Sequence, residues 1–170
     1  MNLDEIINKR YSVRKFKTDK IPEDLIKKIL NAGRLAPTGN NAQPQKFYVI
    51  SSDENKKKLK ENNIFKQDFV YKAPVVIICA GNPDSYPSVE GDNFIRATRD
   101  VSIASAFIVL KATELGLGTC YVGWIERDKT KEVFNIPEKY TVPYAIVFGY
   151  PDIEQHERNR KSLEEFYEEI

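Results

Sequence analysis

The chain has 170 residues, 41% apolar and 30% charged, enough for a single domain over residues 1–170 with a sizeable core. Its 26 basic and 25 acidic residues leave a formal net charge of +1, which excludes a global field for drawing in nucleic acid or an anionic membrane. One histidine and two cysteines exclude a clustered zinc or iron–sulfur site, so no metal is expected.

In chain order, Met1 to Glu5 is polar and acidic, unlike the basic-then-apolar opening of a secretory signal. Leu3 to Asn8 reads as a short helix, with Leu3, Ile6 and Ile7 on one side. Pro22, Glu23 and Asp24 mark a helix start, where proline fits the first turn and acidic residues suit the dipole. Leu25, Ile29, Leu30 and Ala32 form its apolar stripe, and Gly33 is its expected end. Phe47 to Ile50 reads as a strand, and Glu54 to Lys60 as a helix exposing Lys56, Lys57 and Lys58. Ala73 to Ala80 is an unbroken apolar, β-branched run, which predicts a buried strand.

Asn93 to Leu115 contains no Gly or Pro and predicts the longest helix. Its apolar positions spread over more than one face, so much of it is expected to be buried, in part against a second subunit. Gly116 and Gly118 end it, and Thr119 to Val122 reads as a strand. Lys129 to Phe134 is a short helix, and Pro143 to Phe148 a further buried strand. From Ser162 onward acidic and apolar residues alternate, as in an arm that docks on a partner. The pattern is α+β. The longest apolar runs are too short to span a bilayer, and Cys79 and Cys120 read as reduced thiols, so a cytoplasmic location is expected.

The lone histidine, His156, lies in a polar stretch and reads as an exposed imidazole, which leaves no Ser–His–Asp or Cys–His site. No Asp or Glu stands in an apolar context that would raise its pKa for acid–base work. Any difficult chemistry is therefore expected of an organic cofactor, with no side chain as the catalytic group. Two segments suit such a ligand. Arg10-Tyr11-Ser12-Val13-Arg14 offers two guanidinium groups and a hydroxyl on alternating residues, a grip for a phosphate ester or a set of surface ion pairs. Ala36 to Pro44 is a Pro/Gly/Asn loop whose amides can read the edge of a planar ring. Gly116-Leu117-Gly118 follows a helix and precedes a strand, the reverse of a dinucleotide-binding turn. It brings backbone amides close to a ligand, or it caps the helix.

In order and spacing, three segments together resemble the nitroreductase family: Arg10 to Phe16, Ala36 to Pro44, and Asp100 through the long helix to Gly123. Ile136-Pro137 and Val147 to Pro151 also fit, so the resemblance runs from residue 10 to about 161. The second segment departs from the family in carrying Gln45 where an aromatic residue is usual.

The resemblance implies a three-layer fold, with a central, mostly antiparallel sheet flanked by helices, in an intertwined homodimer. It implies FMN as cofactor, reduced by NADH or NADPH, with hydride passed by a ping-pong mechanism to a small electron-poor acceptor such as a nitroaromatic or quinone. Arg10 and Ser12 would hold the phosphate, completed by Arg158, Arg160 or Lys161, with Tyr11 a further cofactor-binding residue and Arg14 toward the pyrimidine end. Pro37, Thr38, Gly39, Asn41 and Gln43 would come from the partner subunit, and Gly116, Leu117, Gly118 and Thr119 would lie near the ring. Tyr86 and Trp124 are expected either as walls of the substrate pocket or as ordinary aromatic packing, and residues 84–93 as a lid. Relatives of the same fold perform reductive dehalogenation or flavin fragmentation, and a flavin-binding protein without turnover is a further alternative.

Overall fold

The computed structural model describes residues 1–86 and 91–170. Helices α1 (Leu3–Lys9) and α2 (Glu23–Arg34) precede strand β1 (Gln45–Ile50). Then follow α3 (Asp53–Glu61), α4 (Phe69–Lys72), β2 (Val75–Gly81), the long α5 (Asn93–Glu114) and β3 (Gly118–Val122). Helix α6 (Arg127–Phe134), β4 (Thr141–Gly149) and α7 (Leu163–Phe166) complete the chain.

The four strands form one antiparallel sheet in the order β1-β2-β4-β3. Strand β2 is buried along its whole length, because alternate side chains enter two different cores. Val75, Ile77 and Cys79 pack with Ile146 and Phe148 beneath α2 and α5. Val76, Ile78 and Ala80 pack with Ala145 and Val147 against Leu59, Val70 and Ile136 on the opposite face. Two cores on one sheet make three layers, and they explain why β2 reads as a continuous apolar run.

Gly33 does not end α2, which runs one residue further. A Cβ at Gly33 would lie 2.6 Å from Ile108 Cγ1 and 3.2 Å from the Ala104 carbonyl, so glycine lets α2 approach α5 closely. The end of α5 matches its expected cap. Gly116 sits at φ +80°, its amide donates to Thr113 O, and the Leu117 amide donates to Ala112 O. That pair of bonds is a Schellman closure. Outside the cores, Leu163, Phe166 and Tyr167 of the tail are exposed, as are Phe94, Ile95 and Phe107 on α5. Among the described residues no helix is long and apolar enough to cross a membrane.

Candidate active site

The segment 10–16 runs beside the outer edge of β3. Ser12 bridges Thr119 in parallel, and the Val13 amide donates to Thr119 O at 2.9 Å. The chain is extended here, so alternate residues share a face. Val13 is fully buried, whereas Ser12 and Arg14 are exposed. The far side of the segment is tied to the chain after β4. Lys17 N donates to Tyr150 O, Asp152 N to Lys15 O, and the Tyr11 hydroxyl to Ile153 O at 2.5 Å.

That return segment then crosses the end of α1. Arg158 donates to the carbonyls of Ile7, Asn8 and Arg10 at 3.1, 2.8 and 3.0 Å, and so satisfies acceptors left open at the helix C-terminus. Arg10, Tyr11, Ser12, Arg14, His156, Glu157, Arg158, Asn159 and Arg160 thereby line one open cleft of about 320 Å³. Burial lowers the Arg10 pKa, and the charges of Arg158 and Arg160 lower it further. None of the four arginines in the cleft forms a salt bridge with a described carboxylate. His156 is exposed, as expected, but it stands on the rim of this cleft. Lys161 lines a neighbouring hollow with Arg160, Leu163 and Phe166.

Gly116, Leu117 and Gly118 border a small recess with Lys9, Arg10 and Tyr11, next to the basic cleft. The amides of Gly116 and Leu117 are engaged in the helix cap, which corrects the expectation that they face a ligand. Gly118 is required by packing, since a Cβ there would lie 2.5 Å from Val13 Cγ2. Thr119 is buried beneath Ser12.

The loop containing Pro37, Thr38, Gly39, Asn41 and Gln43 stands elsewhere. It leads into β1 at Gln45, which pairs with Gly81 at the end of β2. Ser12 lies beside Thr119, which pairs with Phe148, and Phe148 pairs with Val75 at the start of β2. The two segments therefore occupy diagonally opposite corners of the sheet, roughly 19 Å apart across the strands and about 20 Å along them. One chain does not bring them together.

The loop is held by a residue that the sequence reading did not single out for it. Asp100 on α5 is buried on the same helix as buried Ala97, Val101 and Ala104, an apolar setting in which its net pKa is nonetheless not raised. Its Oδ2 accepts from the Gly39 amide at 2.7 Å and from the Tyr86 hydroxyl, and its Oδ1 accepts from Arg99 Nε at 2.9 Å. Burial raises the Asp100 pKa, but the bonds from Tyr86, Arg99 and Gly39 outweigh it and hold the carboxyl below its ordinary range. The signal in the sequence was an acidic residue inside an apolar helical stretch. Tyr86 is only 2% exposed, and burial together with Asp100 pushes its phenol up to about 12. Among the described residues it is packed inside the protein, the aromatic-packing alternative of the two expected for it. Trp124 is 64% exposed just after β3, so the described residues of this chain do not enclose it. The expected lid is described only at its ends, because residues 87–90 lie outside the described residues.

The nitroreductase family model matches residues 7–64 and 61–150, most of the chain. The chain belongs to the nitroreductase family. A Methanothermobacter thermautotrophicus relative named for NADH dehydrogenase/NAD(P)H nitroreductase is 33% identical over 89% of this chain and 78% of its own. A nitroreductase family protein of known structure from Clostridium difficile 630 is 30% identical, with a TM-score of 0.86 over 99% of this chain and 98% of its own. A nitroreductase from Exiguobacterium sibiricum, solved in complex with FMN, shares the fold at a TM-score of 0.92 and 21% identity, over 100% of this chain and 98% of its own. The antiparallel four-stranded sheet between helical layers is thus the nitroreductase fold, and oxidoreductase chemistry is the family's.

Proposed function

We propose that this nitroreductase is an FMN-dependent NAD(P)H oxidoreductase, acting in the cytoplasm on a small electron-poor acceptor such as a nitroaromatic or quinone. The observation that carries the reading is the basic cleft, in which Arg10, Arg14, Arg158 and Arg160 converge without a described carboxylate partner. Like charges so close are stabilised by an anionic ligand, and a phosphate monoester matches both their charge and their donor geometry. The residues therefore suit the phosphate of FMN, with Arg10, Ser12 and Arg160 as its holders. Arg158 orders the cleft through its carbonyl bonds. Arg14, on the same exposed face as Ser12, offers a fixed cation to charge developing on a reduced ring.

Bound FMN would supply the chemistry, accepting hydride from NADH or NADPH and passing it to the acceptor in a second half-reaction. No acidic group in the cleft is needed as a proton donor, because solvent reaches it. The separation of the 37–44 loop from the cleft supports a homodimer in which each site takes the cleft from one copy and the loop from the other. The exposed apolar residues of α5 and the tail support the same assembly.

The test is a visible absorption spectrum of the purified protein, before and after NADH or NADPH is added without oxygen. A flavin band that bleaches is the expected result. A flavin band that persists would favour a flavin-binding role without pyridine-nucleotide turnover, and no band after incubation with FMN would remove the cofactor.

A further inference from the structure

Asp100 is a carboxylate with a side chain 1% exposed in the middle of the longest helix. An ionised group is held in such a place only by full hydrogen bonding, and its donors come from three parts of the chain. Gly39 belongs to the 37–44 loop, Tyr86 to the segment after β2, and Arg99 to α5 itself. The loop is conformationally demanding. Asn40, Asn41 and Gln43 all adopt left-handed backbone angles, with φ of 52°, 53° and 49°. Non-glycine residues keep that conformation only where the surroundings over-determine it. The other restraints among the described residues include backbone bonds from Asn41 N to Thr38 O and from Ala42 N to Gly39 O, a bond from Gln43 N to Thr38 Oγ1, one from Gln43 Nε2 to Asn41 O, and one from Asn82 N to Pro44 O. Among the described residues, only Gly39 links the tip of the loop to a buried charge. A side chain at 39 would also meet Arg99, with a Cβ only 2.8 Å from its Nη2.

We propose that Asp100 is a positioning residue for the flavin: through the Gly39 amide it holds the 37–44 loop in the shape that addresses the ring, without touching the cofactor itself. The inference rests on the FMN reading above. Asp100 lies far from the phosphate cleft, about 24 Å from Gly116 along α5 at the helical rise. The phosphate cleft of its own chain is thus beyond its reach, and through the loop its influence falls on the ring of the site that the loop joins.

The experiment compares the full-length wild type with Asp100→Asn. It measures hydrogen exchange at the Gly39 amide without ligand, FMN affinity, and the affinity of the basic cleft for inorganic phosphate. The expected result is at least tenfold faster exchange at Gly39 and at least tenfold weaker FMN binding, with phosphate affinity unchanged. Tyr86→Phe, which keeps the ring in the core, is expected to move the same readouts by less, and it replaces Asp100→Asn if that variant does not fold. Unchanged FMN affinity overturns the inference, as does parallel loss of FMN and phosphate, which marks general loosening. Failure of the wild type itself to bind FMN overturns the cofactor reading and this inference with it, a result distinct from the other two.

Discussion

Val13 and Gly118 are packed more closely than any side chain at 118 would permit: a Cβ on Gly118 would lie 2.5 Å from Val13 Cγ2 and 2.9 Å from its Cβ. Val13 is fully buried between Ser12 and Arg14, so the contact seats the segment that carries the basic cleft. Gly118→Ala is expected to destabilise the fold by about 1–3 kcal/mol through overpacking. It should also weaken FMN binding, because Arg10, Ser12 and Arg14 move with Val13. Gly116→Ala should behave differently. Nothing lies within 4 Å of its Cβ, and its φ of +80° leaves only a backbone cost, about 1 kcal/mol. Thermal melts of both variants, with FMN titration of Gly118→Ala, check the pair.

The arginines after residue 157 should separate by role. Arg158 serves the carbonyls of Ile7, Asn8 and Arg10, so Arg158→Ala removes the side-chain donor to Ile7 O and Arg10 O, while Asn8 O keeps its bond from Gln155 Nε2. A loss of about 1–3 kcal/mol in stability is expected. Arg160 is exposed, and its guanidinium donates to its own neighbour, Asn159 O. Arg160→Ala is therefore expected to keep the melting temperature and to weaken phosphate and FMN binding. Lys161 faces the adjacent hollow, and Lys161→Ala is expected to change FMN affinity less than Arg160→Ala. Calorimetric melts paired with ligand titrations distinguish the three.

Acid stability should carry the mark of Asp100. Its carboxyl is held below the ordinary value of 3.8 in the folded state, so the unfolded chain takes up its proton first as pH falls. The stabilisation it contributes is present above the unfolded value and is lost as pH drops toward the folded one. Urea melts from pH 6 down to pH 3 are expected to show a steeper fall for the wild type than for Asp100→Asn. Equal slopes would mean that the carboxylate is not preferentially ionised in the fold.

The two thiols should resist modification until the protein opens. Burial pushes the Cys79 thiol up to about 12, and it also raises Cys120, against which Arg14, Ser12 and Arg10 act in the other direction. Reactive thiols are exposed thiolates, and neither cysteine is one. Alkylation followed by mass spectrometry is expected to find both unmodified in native buffer and both modified in urea. Cys120, which is 4% exposed and near cations, should react before Cys79 at intermediate denaturant.

What the sequence by itself determined were features that depend on near neighbours or on the order of segments. The continuous apolar runs of β2 and β4, the uninterrupted length of α5, its glycine cap, and the alternation of Arg10, Ser12 and Arg14 are all local patterns, and the order of motifs carried the family. What only the tertiary structure decided were contacts between distant residues. Gly33 against Ile108, Gly118 against Val13 and Gly39 against Asp100 join positions 61 to 105 residues apart, and nothing in the periodicity around either partner announces the other. For the same reason Arg158 emerged as a cap for α1 and Tyr86 as a core residue, because a side chain's partners are set by which surfaces the sheet brings together. The diagonal separation of the 10–16 and 37–44 segments is likewise a property of strand order, and strand order is set by packing two apolar faces of one sheet at once.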